Sequence, residues 1–214
     1  VIFALDRAGL AGGDGATHNG IYDIGFLKGM PNLMIAQPRN GKLLRELLTS
    51  ALNYEKPIAI RYPNLTTDDT TDNITYREVG KAEVISQGSN IAFIALGHHV
   101  ATAIKVKERL KEEGLDITIV DPIFIKPIDE DLLREVFRTH QLIITLEEHS
   151  LSSGFGEIIN SFAARESFSN QILNLGIPDI YIEQGSHQEL LKELHLDVDS
   201  ITKKIISCLP VHHT

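Results

Sequence analysis

The chain has 214 residues, 43% hydrophobic and 23% charged, with 29 acidic against 20 basic side chains and a formal net charge of −9. At about 150 residues per domain that length suggests one large domain or two small ones with a real core, and the acidic balance excludes a sequence-independent nucleic-acid binder, which needs a basic face. The single cysteine, Cys208, excludes an internal disulfide framework and a Cys-rich zinc site, and no apolar run reaches the roughly 20 residues that span a bilayer.

The first residues, Val1-Ile2-Phe3-Ala4-Leu5, are an apolar run that reads as a buried strand. No initiator methionine, polar lead-in or charged leader precedes it, so the expectation is a C-terminal piece of a longer chain whose targeting information lies upstream. A glycine-rich loop follows at 6–20, then a short helix at 21–27 and a strand at 33–36. Leu43, Leu44, Leu47, Leu48 and Leu52 recur at spacings of three and four, which predicts an amphipathic helix over 41–53, and 57–62 is the next strand. Strands alternating with helices predict an α/β fold with a mainly parallel sheet.

Residues 66–73 are only Thr, Asp and Asn, a composition that cannot build a core, and a linker is expected over 65–80. It separates a partial domain, 1–64, from a second α/β series, 81–214. In that series strands are predicted at 90–96, 117–120, 142–146 and 171–175. Helices are predicted at 100–113, stopped by Gly114, and at 129–138, 156–164, 186–194 and 199–208. The tail ends in His212-His213-Thr214.

The loop carries the chemistry. Asp6-Arg7-Ala8-Gly9-Leu10-Ala11-Gly12-Gly13-Asp14-Gly15-Ala16-Thr17-His18-Asn19-Gly20 lies between a strand and a helix, where open α/β sheets place ligand sites. Its glycines allow close backbone approach and positive φ, and successive amides can form an anion-binding nest. Arg7 offers a fork for phosphate or carboxylate, Asp14 can hold ligand hydroxyls, and His18 can move a proton near neutral pH. The alternative is a loop in which glycines shape turns and polar residues meet water, since the pattern is neither G-x-G-x-x-G nor a P-loop.

Asp6-Arg7-Ala8-Gly9, Gly13-Asp14-Gly15-Ala16-Thr17-His18-Asn19-Gly20 and Asp23 together resemble the 1-deoxy-D-xylulose-5-phosphate synthases. Met30-Pro31-Asn32, Ile60-Arg61-Tyr62-Pro63, Lys126-Pro127-Ile128-Asp129, Glu147-Glu148, Leu175-Gly176-Ile177-Pro178-Asp179 and Glu183-Gln184-Gly185 follow in the same order, so the resemblance runs from Val1 to about Cys208. Transketolase and the β subunits of 2-oxo-acid dehydrogenases share this type of loop but lack the Asp-Arg-Ala-Gly lead-in.

The resemblance implies a transketolase-like fold: the second half of a pyrimidine-binding domain, then a C-terminal domain. It implies the thiamine-diphosphate-dependent joining of pyruvate to glyceraldehyde 3-phosphate with loss of carbon dioxide, the first step of the non-mevalonate isoprenoid route. A homodimer in a bacterial cytoplasm or a plastid, with no nucleic-acid or membrane partner, is implied as well. The family's Mg²⁺ and diphosphate ligands, and the glutamate that activates the cofactor, fall upstream of Val1. No cofactor-binding or metal-binding residue is therefore expected here, and residues 1–214 alone are expected to be inactive. By resemblance Arg7 helps to hold the acceptor phosphate, while Asp14 and His18 contact substrate. A developing alkoxide needs stabilising, and His18 is the first candidate for that role, with Asp14 next.

One position departs from the family, which usually reads Arg-Tyr-Pro-Arg-Gly where this chain has Arg61-Tyr62-Pro63-Asn64-Leu65. Uncharged Asn64 would weaken a phosphate contact worth about 1.5–3 kcal/mol, unless Arg7 or another cation such as Lys28 compensates. Elsewhere His98-His99 reads as a satisfied, partly exposed pair, Glu147-Glu148-His149 as structural or interfacial, and His187 and His195 as members of an ordinary amphipathic helix. With no H-E-x-x-H or Cys ligand set, spacing argues against a metal site within the chain. Transketolase itself, a 2-oxo-acid dehydrogenase β subunit and a non-catalytic interaction domain remain the alternatives.

Overall fold

The computed structural model describes residues 1–67 and 73–209. β1 (Ile2–Leu5), β2 (Met34–Ala36) and β3 (Ile58–Arg61) pair in parallel in the order β1-β3-β2, with α1 (Asp23–Leu27) and α2 (Gly41–Ala51) in the connections. The leucine spacing does what it predicts: Leu43 and Leu47 of α2 are buried against Met34, Ile58 and Ile60. Asn40 caps the helix by accepting from Leu43 N–H at 3.0 Å.

The opening strand corrects an expectation. Among the described residues β1 is the edge of its sheet and pairs only with β3, and Val1 and Phe3 are exposed rather than in a core. The helix expected over 21–27 is also shorter than its pattern, because Tyr22 takes the cap position at the start of α1.

The second sheet has five strands in the order β4-β6-β5-β8-β9: β4 (Glu83–Ser86), β5 (Asn90–Ala95), β6 (Thr118–Asp121), β8 (His140–Ser150) and β9 (Gln171–Ile177). All pairs are parallel except β4 with β6. One face packs Phe93, Ile119 and Ile144 against α3 (His99–Glu112), α6 (His187–Glu193) and α7 (Val198–Ser207). The other packs Ala92, Ile94 and Ile143 against α4 (Glu130–Thr139) and α5 (Phe155–Arg165). Gly114, at φ +75°, takes the left-handed conformation that ends α3 as predicted.

The two halves are not joined by a free linker. β7 (Phe124–Lys126) leaves the second series and pairs antiparallel with β2, so it completes the first sheet as β1-β3-β2-β7. Leu10 and Ile21 of the first half belong to one core of the second sheet, and Ile24 and Ile35 to the other. Residues 68–72 of the expected linker lie outside the described residues, as does the His212-His213 tail, but the chain from Thr75 onward is tied down. Glu46, fully buried on α2, accepts from Thr75 N–H at 3.2 Å and Arg77 Nε at 2.7 Å, and pairs with Lys42. Arg39 then bridges Glu83 at 2.7 Å and buried Asp121 at 2.6 Å in the second sheet.

Burial pushes the Glu46 carboxyl up, but the bonds from Lys42, Arg77 and Thr75 outweigh it and hold the group below the usual glutamate value. Between that usual value and the lower folded one, the unfolded chain binds a proton that the folded chain refuses. Stability from Glu46 is therefore present above pH 4.5 and is lost as pH falls through the folded value. Glu46→Gln is expected to cost about 1.5–3 kcal/mol at pH 7, and urea titrations should show the penalty shrinking as pH is lowered past 4.5; a penalty independent of pH would refute this.

Candidate functional site

The glycine-rich loop closes on itself before it presents anything. Ala8 N–H donates to Tyr62 O at 2.9 Å, and Gly9 N–H and Gly20 O meet at 2.9 Å, so the entry and exit of the loop are pinned beside β3. Between them lie two 3₁₀ turns, Gly12–Asp14 and Ala16–His18. Asn19 Oδ1 accepts from Ala11 N–H at 2.8 Å across the loop, and Gln184 Nε2 and Gly185 N–H reach Gly13 O and Gly12 O at 3.3 Å from the second domain.

Arg7 sits in the left-handed region at φ 57°. Its Nε donates to Asp14 Oδ2 at 2.9 Å and its Nη1 to Asp6 Oδ2 at 2.7 Å. The Arg7 guanidinium holds Asp14 below the usual carboxylate value, and His18 adds to that pull when charged. His18 is exposed, with Nδ1 3.1 Å from Thr17 Oγ1. Three of the four predicted site residues, Arg7, Asp14 and His18, thus lie on one solvent-facing loop, Arg7 and Asp14 in direct contact.

Under the exit of the loop lies Arg61, 0% exposed. Its Nε donates to Asp23 Oδ2 at 2.9 Å, Nη1 to Gln37 Oε1 at 2.6 Å and Nη2 to Gly20 O at 2.8 Å. One fork therefore locks the end of the loop, the start of α1 and the chain after β2. Leaving such a charge unpaired costs several kcal/mol, so this arrangement is rigid.

Under the entry lies Glu148, and the structural part expected of it takes the form of a buried anchor for the loop. Glu148 at the end of β8 is 2% exposed; Oε2 accepts from Leu10 N–H at 2.8 Å. Oε1 is 3.0 Å from His98 Nε2, 2.7 Å from His187 Nε2 and 3.4 Å from His99 Nε2. Burial pushes the Glu148 carboxyl up, but its three histidines more than offset this and hold it well below its ordinary value, while the bond to Glu148 raises His187. His98-His99 is thus no satisfied surface pair: His99 is fully buried, and His99 Nε2 and His98 Nδ1 have no hydrogen-bond partner. Nor is His187 an ordinary helix residue. His187 and His98 are 39 and 50 positions from Glu148, a separation that no local pattern reveals.

The structure divides the Glu147-Glu148-His149 run. Glu147 accepts from Phe155 N–H at 2.6 Å and Gly156 N–H at 2.7 Å and so caps α5, a structural role. His149 Nε2 accepts from Ile24 N–H at 3.1 Å; burial first, and then nearby Arg61, push it down to about 4, which keeps it neutral. Asn64 is exposed and lines a groove with Arg39, Tyr62 and His98. Lys28 does not reach that groove: it pairs with Glu157 at 2.9 Å and lines a separate cavity beside α5.

Known proteins resemble the chain over both halves. The family described as the transketolase pyrimidine-binding domain matches residues 1–68, and the one described as the transketolase C-terminal domain matches 80–201. The chain is 46% identical to a 1-deoxy-D-xylulose-5-phosphate synthase of Chlamydia muridarum and 44% identical to one of Chlamydia felis, in each case over 97% of this chain and 33% of the relative. It therefore spans about a third of the length of the curated relatives it matches. Among solved structures, a split gene transketolase described as an inactive beta4 tetramer is 26% identical with a TM-score of 0.84, covering 97% of this chain and 65% of that one. A transketolase from Campylobacter jejuni shares the fold at 16% identity, with a TM-score of 0.71 over 96% of this chain and 31% of that chain.

Proposed function

The chain belongs to the transketolase family, and on that premise we propose that its loop serves the reaction for which its chlamydial relatives are named, the synthesis of 1-deoxy-D-xylulose 5-phosphate. The observation that carries this is the shared rim of Arg7, Asp14 and His18, held from below by Glu148 and Arg61. Pyruvate and glyceraldehyde 3-phosphate are then the substrates, thiamine diphosphate with Mg²⁺ the cofactor, and a homodimer the working form.

The residues of this chain do not fit the Mg²⁺ and diphosphate end of that cofactor. Mg²⁺ calls for oxygen donors in octahedral array, whereas the one metal-capable group among the described residues, His98, Glu148 and His187, is rich in nitrogen. In this reading the cofactor is bound mainly outside residues 1–214, and these residues work on the acceptor. Arg7 has guanidinium N–H groups beyond the two that hold Asp6 and Asp14, and these bind the acceptor phosphate. His18 donates to the acceptor's aldehyde oxygen as negative charge develops on it, and Asp14 orients Arg7 and the acceptor hydroxyls.

His18→Ala in the intact enzyme should lower kcat about 100-fold with little change in acceptor KM, whereas Arg7→Ala should mainly raise that KM, about 10-fold or more. Equal, small effects at both would mean that the site lies elsewhere. Asn64→Arg should lower the KM for glyceraldehyde 3-phosphate, since the groove gains a cation for the phosphate; an unchanged or higher value refutes that reading of Asn64. A polypeptide of residues 1–214 alone should give no turnover, and detectable deoxyxylulose phosphate from it would overturn the placement of the cofactor.

A further inference from the structure

The geometry points to a site for a divalent transition metal of the zinc class formed by His98 Nε2, His187 Nε2 and Glu148 Oε1, beneath the glycine-rich loop and distinct from the acceptor rim. The three ligand atoms lie within 4.8 Å of one another. They come from the turn before α3, the first residue of α6 and the end of β8, elements that the fold holds rigidly.

The Glu148–His98 and Glu148–His187 separations of 3.0 and 2.7 Å are those of hydrogen bonds, a little short of the edge of a tetrahedron with bonds of about 2.0–2.1 Å, which is about 3.3–3.4 Å. Opening each histidine by a few tenths of an ångström would seat the ion. Independently, His99 Nε2 is fully buried, has no hydrogen-bond partner and points at the same carboxylate oxygen from 3.4 Å. One carboxylate oxygen cannot satisfy three imidazoles, but a cation in front of it can take a nitrogen lone pair that the carboxylate repels.

The surrounding bonds suit a metal site. Leu10 N–H occupies Glu148 Oε2 at 2.8 Å, which fixes the carboxylate and leaves Oε1 for the ion. His187 and His98 side chains are 27% and 14% exposed, so an ion can enter from solvent past His187. Two imidazoles and one carboxylate match zinc, cobalt or nickel rather than Mg²⁺ or Ca²⁺. The fourth position falls to His99 or to water. Because Glu148 also holds Leu10, metal at this place would stiffen the floor of the loop.

The test is metal binding by the intact protein with His212 and His213 replaced by alanine, so that the tail contributes no ligands. In about 1 mM Mg²⁺, which fills all-oxygen sites, competition with a chromogenic chelator should show one Zn²⁺ per chain. Co²⁺ should give the visible absorption of a four-coordinate site. His187→Gln keeps a donor for Glu148 but removes a ligand; it should weaken Zn²⁺ at least tenfold, abolish the Co²⁺ band and leave the metal-free Tm near that of the parent. Zn²⁺ should raise the parent's Tm reversibly with chelator and leave that of His187→Gln unchanged. Equal Zn²⁺ affinity in parent and variant, or no binding tighter than about 0.1 mM in the parent, would overturn the site. Should His187→Gln fold poorly, His98→Gln gives the same comparison.

Discussion

A carboxylate taken out of water must be met by donors or cations, and Glu148 meets that demand with the backbone of a loop on one oxygen and three imidazoles on the other. The glycine-rich loop closes on itself at Gly9 and Gly20, and this anchor ties it to the second sheet. A Cβ on Gly9, already at φ +88°, would collide with the Glu148 carboxylate, so the glycine is there because the anchor is close. The rim of Arg7, Asp14 and His18 then inherits its place from a residue on the other sheet.

Arg61 is the complementary anchor. It answers the same physical requirement with the opposite charge, binding Asp23, Gln37 and Gly20 O, and it ties the loop's exit to the first sheet. Between a buried anion in one sheet and a buried cation in the other, the loop is clamped at the contact of the two halves. β7 reinforces that contact by lending a strand to β2, as do Leu10, Ile21, Ile24 and Ile35, which fill cores of the second sheet. This explains why the reactive residues can stay exposed: rigidity is supplied from beneath, and Arg7, Asp14 and His18 need only one another and the ligand.

Elements set by local pattern were legible. The leucines of α2 and the stop of α3 at Gly114 each depend on residues within a few positions. β4 and β7 were not legible, because each is short and exists through pairing with a strand far along the chain. The same distinction runs through the site. Arg7, Asp14 and His18 lie within twelve positions and form a recognisable string, whereas His98, Glu148 and His187 are scattered over three elements with no spacing rule to join them.

The length and composition allowed one domain or two, and the acidic balance ruled out a general nucleic-acid binder; those conclusions belong to the sequence by itself, as do the alternating α/β order and the motif-bearing loop. Tertiary structure decided that the stretch after the Thr/Asp run is strapped to α2. It also brought three histidines that local pattern leaves ordinary, His98, His99 and His187, against one buried glutamate. The reason is physical: periodicity and turn chemistry act over a few residues, but desolvated charges must find partners wherever the fold brings them.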